Sequence, residues 1–134
     1  MPDRQLRQPT ILVVDDEIEI LSLLTKAFRR YGFEILTAKK CREAVEIFRQ
    51  HWCEIELVLL DVQMPTMDGI ETLVELQSIN PAVLVAFMSA SPGQFTPAEL
   101  LRLGVAQVLD KPFLSLKHLA ETLNAMIGRI NRSE

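Results

Sequence analysis

Acidic, hydroxyl and basic side chains follow the apolar runs of this chain in a fixed order. Asp15 and Asp16 come directly after the run ILVV, and Asp61 comes directly after LVLL. Ser89 follows VLVAFM, and Lys111 stands shortly after the dipeptide VL. If these runs are parallel strands, the side chains meet at one edge of one sheet, because parallel strands all end on the same side. Three carboxylates, a hydroxyl and an ammonium group suit a divalent cation and a phosphoryl group.

The runs themselves have the continuous, β-branched character of strands that are buried on both faces. We predict strands at residues 10–14, 33–38, 55–60, 83–88 and 106–109. Helical spacing of apolar residues predicts helices over residues 17–30, 41–51, 70–79 and 116–130, with a short helix from Pro97 to Gly104. This alternation predicts an α/β fold, because right-handed crossovers place helices on both faces of a parallel sheet. We therefore expect a doubly wound, flavodoxin-like (βα)5 fold with five parallel strands in the order 2-1-3-4-5.

Length and charge restrict the kind of protein further. The 134 residues suit one domain, which we expect to cover residues 10–131 after a flexible tail at residues 1–9, without an effector domain. A net charge of −4 and the lack of a basic run argue against nucleic-acid binding. No apolar run approaches the roughly 20 residues that cross a bilayer, and the N-terminus does not resemble a signal peptide. We therefore expect a cytoplasmic protein that has no membrane partner.

The acidic residues stand where a doubly wound sheet binds ligands, outside the ends of the first and third strands. Asp15, Asp16 and Asp61 occupy those two ends, and their mutual repulsion calls for a compensating cation. Mg²⁺ is the natural candidate, since it prefers oxygen ligands and is usually held by carboxylates together with phosphate oxygens. Asp61 is central among the strands and is the expected nucleophile for a phosphoryl group, whose oxygens Ser89 and Lys111 would contact.

Taken singly, several of these residues have purely structural explanations. Asp15 and Asp16 suit the cap of the first helix, and Lys111 alone would be an ordinary surface lysine. Asp61 is harder to explain in this way, because Asp68 and Gly69 already supply the turn chemistry of the loop that follows it.

Four motifs in this order resemble the receiver domain of two-component response regulators. They are the acidic pair in ILVVDDE, the stretch LLDVQMPTMDG, the dipeptide Ser89-Ala90 and the tripeptide Lys111-Pro112-Phe113. The resemblance covers residues 10 to about 130 and is to receivers of the stand-alone, single-domain type. It implies a phosphoprotein of a histidine-aspartate phosphorelay, in which Mg²⁺-dependent phosphorylation shifts the conformation and so controls a downstream partner.

The resemblance also implies a role for each matching residue. Asp61 is the phosphoacceptor, and its phosphoryl donor is a sensor histidine kinase or a phosphotransfer protein. Asp16 ligates Mg²⁺ directly, whereas Asp15 does so mainly through water. The backbone carbonyl of Gln63 completes the set of protein ligands together with Asp61.

By the same likeness, Ser89 and Lys111 hold the phosphoryl oxygens. The protein would then promote only its own phosphorylation and dephosphorylation, without being an enzyme. A haloacid-dehalogenase-like phosphotransferase uses a similar aspartate and lysine, but Gln63 stands where such an enzyme carries its second acid. A flavodoxin-like cofactor module needs a phosphate loop after the first strand, where this chain has two acids. A phosphorylation-independent interaction scaffold is a further alternative, because the output region is unusual.

Two features depart from the family pattern, and both concern output. Val108 stands in the fifth strand, where receivers usually carry a switching tyrosine or phenylalanine. Pro92, Gly93 and Pro97 interrupt the stretch where similar proteins begin their fourth helix, which should shorten that helix by about a turn. We therefore expect phosphorylation to reorder residues 89–103 and to leave the fifth strand nearly unchanged.

Overall fold

The computed structural model describes residues 8–62, 69–90, 96–111, 113 and 115–132. Five strands alternate with five helices through these residues, as the sequence predicts. They are β1 (Thr10–Val14), α1 (Ile18–Arg30), β2 (Glu34–Ala38), α2 (Cys41–His51), β3 (Ile55–Asp61), α3 (Gly69–Ile79), β4 (Val85–Ala90), α4 (Pro97–Leu101), β5 (Gln107–Lys111) and α5 (Leu116–Arg132). Within the described residues, no helix has both the length and the apolar character that crossing a membrane requires.

All five strands lie in one parallel sheet in the order β2-β1-β3-β4-β5, which confirms the predicted fold class. β1 pairs with β2 on one side, where Val14 lies opposite Ala38. It pairs with β3 on the other side, where Val14 lies opposite Leu60. The strand order reverses between β1 and β3, and their carboxyl ends therefore form the crevice in which such sheets bind ligands.

Two layers of apolar side chains, one on each face, hold the sheet between the helices. Along β1, Ile11 and Val13 belong to the layer formed with α1 and α5. Leu12 and Val14 belong to the layer formed with α2, α3 and α4. All four side chains are fully buried, which explains why the run is continuously apolar instead of alternating. With both faces covered, the strand ends are where polar side chains can gather.

β4 begins and ends two residues later than the predicted span of 83–88. A turn delays it, because the side-chain oxygen of Asn80 accepts a hydrogen bond from the Ala82 N–H at 3.1 Å. The backbone carbonyl of Asn80 also accepts a hydrogen bond from the Val83 N–H at 3.0 Å. Ser89 consequently belongs to the strand itself and not to the loop that follows.

β5 likewise runs to Lys111, beyond the predicted span of 106–109. The reason is the later end of β4, which offers backbone partners up to Ala90. Ser89 lies opposite Asp110, and Ala90 lies opposite Lys111. The sheet therefore fixes the backbone of both residues that were expected to contact a phosphoryl group.

A capping box begins the short fourth helix. Thr96 Oγ1 accepts a hydrogen bond from the Glu99 N–H at 3.2 Å, and Glu99 Oε1 accepts one from the Thr96 N–H at 2.8 Å. Hydrogen bonding from Thr96 to the Glu99 carboxylate, from the Thr96 N–H first and from its side chain second, lowers the pKa of that carboxyl. The helix ends at Leu101, and Gly104, with a φ of +94°, closes the turn after it. The predicted interruption before this helix falls mostly on residues 91–95, which lie outside the described part of the chain.

Candidate functional site

Three carboxylates converge at the carboxyl ends of β1 and β3. Asp15 and Asp16 directly follow β1, and Asp61 is the last residue of β3. Because Val14 and Leu60 are paired, the residues after them emerge side by side. One oxygen atom from each of the three carboxylates lies within 4.8 Å of the others. Asp15 is completely buried and Asp61 is nearly so, whereas Asp16 is exposed.

Asp15 has a structural role besides its place among the acids. Its N–H donates to the Ala38 carbonyl at 3.1 Å, which extends the pairing of β1 with β2. Its Oδ1 accepts a hydrogen bond from the Glu17 N–H at 2.9 Å, directly before α1. Neither aspartate is therefore the N-cap of α1, which is Glu17, but this oxygen of Asp15 holds the turn directly before the helix. The other oxygen, Oδ2, faces the site.

Asp16 has no comparable structural role. The N-cap residue of α1 is Glu17, and its side chain makes no capping hydrogen bond. Among the residues that the structure describes, no hydrogen bond or ion pair engages the Asp16 carboxylate. An exposed carboxylate without a partner, next to two buried ones, is available to a ligand.

Lys111 reaches the acids from the end of β5. Its Nζ lies 2.9 Å from Asp15 Oδ2 and 3.4 Å from Asp61 Oδ2, so that it bridges the two buried carboxylates. Burial alone would lower the pKa of Lys111, but the hydrogen bond to Asp15 and the charge of Asp61 outweigh burial and raise the pKa. The ammonium group is therefore charged at neutral pH.

Glu17 is the site neighbour that sequence reasoning missed. Its Oε1 lies 3.6 Å from Lys111 Nζ, and its side chain is 61% exposed. The only hint in the sequence is the third consecutive acid of the DDE stretch, which the helical pattern of α1 already explains. Glu17 thus provides a third carboxylate for the same ammonium group, on the solvent side.

The charges of the cluster do not balance. Asp15, Asp16 and Asp61 supply three negative charges and Lys111 supplies one positive charge, which leaves an excess of two negative charges before the exposed Glu17 is counted. Charges of one sign in a buried site destabilise a fold unless counter-charges compensate them. A divalent cation would balance this excess, and carboxylate oxygens are ligands that Mg²⁺ prefers. The donor set and its charge therefore fit Mg²⁺.

Ser89 approaches the site from β4, the neighbour of β3. Asp61 pairs with Met88, so Ser89 lies one residue beyond the level of Asp61. Its Oγ donates a hydrogen bond of 3.4 Å to the Ala90 carbonyl, which is at the weak limit for a hydroxyl donor. Because so little is lost on breaking this bond, the hydroxyl can turn to a better acceptor.

Gly69 allows α3 to start directly against the end of β3. Its N–H donates to the Val62 carbonyl at 3.3 Å, and a Cβ at this position would lie 2.7 Å from Val62 Cα. The sequence pattern indicated turn chemistry here, whereas the structure shows a close backbone approach that excludes any side chain. Gln63, whose carbonyl is the expected fourth ligand, lies outside the described residues.

Known proteins resemble this chain in sequence and in structure. Residues 11–124 match the response regulator receiver domain. Transcriptional regulatory protein ZraR of Escherichia coli (strain K12) is 40% identical over 118 residues, which are 88% of this chain and 26% of that protein. The chain thus spans about a quarter of the length of the ZraR relatives that it matches.

Solved structures show the same likeness. A response regulator receiver domain protein from Clostridium thermocellum has a TM-score of 0.86 at 28% identity, over 94% of this chain and 99% of that one. The CheX-CheY-BeF3-Mg complex from Borrelia burgdorferi contains a chain with a TM-score of 0.81 at 29% identity, over 89% of each chain.

Proposed function

The chain belongs to the response regulator receiver family, and we propose that it is the phosphoryl-accepting receiver of a two-component phosphorelay. A sensor histidine kinase or a phosphotransfer protein in the cytoplasm supplies the phosphoryl group, and Asp61 accepts it. The reaction depends on Mg²⁺, and the phosphorylated protein changes conformation to control a downstream partner.

One observation carries the proposal: Lys111 bridges the buried Asp15 and Asp61 carboxylates at 2.9 and 3.4 Å, within a cluster that keeps an excess of negative charge. A purely structural acid at the end of β3 would not need a lysine from the end of β5. This arrangement supports Asp61 as the phosphoacceptor, because its carboxylate lies within reach of both the ammonium group and the oxygens of Asp15 and Asp16.

In the proposed transfer, an oxygen of Asp61 attacks phosphorus while the bond between phosphorus and the leaving atom of the donor breaks. Bound Mg²⁺ supplies positive charge to the phosphoryl oxygens. We assign its ligands to Asp16, Asp61 and the carbonyl of Gln63, with Asp15 acting mainly through water. The hydrogen bond that Asp15 Oδ1 accepts from the Glu17 N–H at 2.9 Å supports an indirect role for Asp15.

Lys111 and Ser89 change partners during this transfer. Lys111 leaves Asp15 and donates to a phosphoryl oxygen, whose negative charge then takes the place of the carboxylate as its partner. The Ser89 hydroxyl exchanges its long hydrogen bond to the Ala90 carbonyl for a second phosphoryl oxygen. Both groups thereby stabilise the negative charge on the oxygens of the transferring phosphoryl group.

We also propose that the protein is not an enzyme for other substrates and promotes only its own phosphorylation and dephosphorylation. Gln63, two residues after Asp61, cannot serve as the acid–base group of a haloacid-dehalogenase-like phosphotransferase. The second candidate function is a phosphorylation-independent scaffold, which Val108 favours because this residue replaces the usual switching aromatic ring.

In the proposed signal, β5 is not the moving part. Val108 is half-buried and packs against the apolar layer that contains Leu100 and Val105. A β-branched side chain has few χ1 states, so Val108 cannot swing between two positions as an aromatic ring can. We propose that Ser89 instead draws residues 89–103 into a new arrangement, although residues 91–95 of this segment lie outside the described part.

Intact mass spectrometry after incubation with acetyl phosphate and Mg²⁺ tests the proposed function. The parent protein should gain the mass of one phosphoryl group, and EDTA should prevent the gain. Asp61→Asn should gain none, whereas Asp110→Asn, which removes an exposed acid of β5, should behave as the parent. Phosphorylation that persists in Asp61→Asn would move the acceptor to another residue. A parent protein that gains no mass would favour the scaffold.

A further inference from the structure

We propose that a groove beside α1, which none of the three site aspartates lines, binds an acidic peptide segment of a partner protein. This basic groove has a volume of about 330 Å³ and is lined by Lys26 and Arg29 of α1 and by Lys39, which follows β2. The proposal goes beyond phosphorylation, because none of these three cations contacts the acidic cluster in the described part of the chain.

The basic groove carries an excess of positive charge in a chain whose net charge is −4. Lys26 and Arg29 are three residues apart, so they project from the same side of α1, and Lys39 lines the groove from another element. Among the described residues of the lining, Glu43 is the one acid, and it already accepts a hydrogen bond from the Lys39 N–H at 2.8 Å. Three positive charges against one negative charge leave an excess of two.

These cations are free to bind a ligand. In the residues that the structure describes, neither Lys26 nor Arg29 nor Lys39 forms an ion pair. Stabilisation of the helix dipole explains Arg29, which lies in the last turn of α1. It does not explain Lys26, one turn earlier, or Lys39, which belongs to no helix. A shared ligand accounts for all three positions.

The dimensions of the basic groove suit an extended peptide better than a single small anion. Its lining on α1 runs from Ile18 to Arg29, a distance of about 16 Å at 1.5 Å per residue. An extended segment of roughly five residues covers this length. Ile18 is 55% exposed and offers an apolar contact at one end, while the hydroxyls of Thr25 and Thr37 can bond to a peptide backbone. Charge complementarity then selects a short acidic segment with one apolar residue.

Fluorescence anisotropy with a labelled peptide tests the proposal. The probe is a short run of aspartate and glutamate that ends in leucine, and its control carries asparagine and glutamine instead. The acidic probe should bind the unphosphorylated full chain, bind Asp61→Asn equally well, and weaken as salt rises. Backbone NMR shifts should map its contacts to residues 18–29 and 37–43. Equal binding of the neutral control, or shifts confined to other elements, would overturn the proposal.

Charge-reversal variants separate the basic groove from general charge effects. Lys26→Glu with Arg29→Glu should weaken binding about tenfold or more, because attraction becomes repulsion. Lys39→Glu alone should weaken it roughly threefold. Arg102→Glu with Lys117→Glu removes two exposed cations elsewhere and should leave binding almost unchanged. Equal losses of peptide binding in both double variants would overturn the proposal. It would also be overturned if the protein sedimented with phosphatidylserine vesicles but did not bind the acidic peptide.

Discussion

Lys111 should stabilise the metal-free protein by neutralising two buried carboxylates, and Lys111→Met tests this because it removes the charge but keeps most of the side chain. The ammonium group lies 2.9 Å from one carboxylate oxygen and 3.4 Å from the other. At an effective dielectric constant of about 20, each contact is worth roughly 5 kcal/mol before desolvation is subtracted. Removing one partner of a buried pair costs about 3–5 kcal/mol. The Lys111 side chain is 13% exposed, which favours the lower end of that range.

Mg²⁺ should restore most of the folding stability that Lys111→Met loses. Without Lys111, no ammonium group competes for the oxygens of Asp15 and Asp61, so the variant should bind Mg²⁺ more tightly than the parent. Because a ligand that binds only the folded state stabilises it by RT ln(1 + [L]/Kd), tighter binding means that Mg²⁺ should raise the stability of the variant by more than that of the parent. Phosphorylation should nevertheless be slower by about a hundredfold, since the variant lacks a charged donor to the phosphoryl oxygens.

The stabilisation that Lys111 provides also depends on pH in a defined way. The pKa of Lys111 is raised above its ordinary value of 10.5 in the folded protein. Its contribution is therefore fully present below pH 10.5 and is lost as the pH rises through the higher folded-state pKa. The parent should lose stability in that alkaline range, and Lys111→Met should not show this loss.

Urea denaturation in EDTA and in Mg²⁺ measures both halves of the prediction. In EDTA the free energy of unfolding of Lys111→Met should be lower by about 3 kcal/mol. Lys117→Met, at an exposed position of α5, is the matched control and should change it by less than about 0.5 kcal/mol. If Lys111→Met equals the parent in EDTA, or if Mg²⁺ stabilises both proteins equally, Lys111 is not the counter-charge of the site.

Three further predictions follow from the site and its supports. Asp16→Ala should weaken Mg²⁺ binding more than Asp15→Ala does in calorimetric titrations. Only Asp15→Ala should lower the stability of the metal-free protein, by about 1–3 kcal/mol, because Asp15 accepts hydrogen bonds from the Glu17 N–H and from Lys111. Equal Mg²⁺ losses would reject this assignment. Gly69→Ala should destabilise the protein by about 1–3 kcal/mol, because a Cβ there meets Val62 Cα at 2.7 Å. Gly128→Ala has open space and should be neutral or stabilising, so equal melting temperatures for the two variants would contradict the close-contact explanation. Thr96→Ala should cost α4 about 1 kcal/mol and speed its amide exchange, and unchanged exchange would disprove the cap. Because the pKa of Glu99 is lowered, its support for α4 is present above pH 4.5 and is lost as the pH falls through the lower folded-state value.

Much of the fold could be predicted because the apolar pattern is strong where the packing is tight. α2 begins at Cys41 and ends at His51, as predicted, since Ala44, Val45 and Phe48 form one buried face with helical spacing. β1 also has its predicted bounds, because its continuous apolar run is covered on both faces. The parallel direction of the strands then follows from the alternation of strands and helices.

The ends of β4 and β5 could not be predicted to the residue. Val83 is as apolar as the strand that follows it, so composition does not separate it from β4. Its place in a turn depends on Asn80, whose side chain and carbonyl accept hydrogen bonds from the next residues. The close contact between Gly69 and Val62 is likewise a property of two packed elements and leaves no mark in the local sequence beyond the glycine itself.

The contacts of Lys111 also depend on assembled structure, and they bear on how the proposed switch works. The sequence predicts that Lys111 faces a phosphoryl group, whereas the structure shows its ammonium group bonded to Asp15 and Asp61. In the proposed transfer, we expect the ammonium group to weaken these resting contacts as it turns to donate to a phosphoryl oxygen. Glu17 lies 3.6 Å from the same atom, is largely exposed and is not among the assigned metal ligands. Glu17 would therefore keep Lys111 at the mouth of the site if Mg²⁺ binding weakened the contacts of Lys111 with the buried acids.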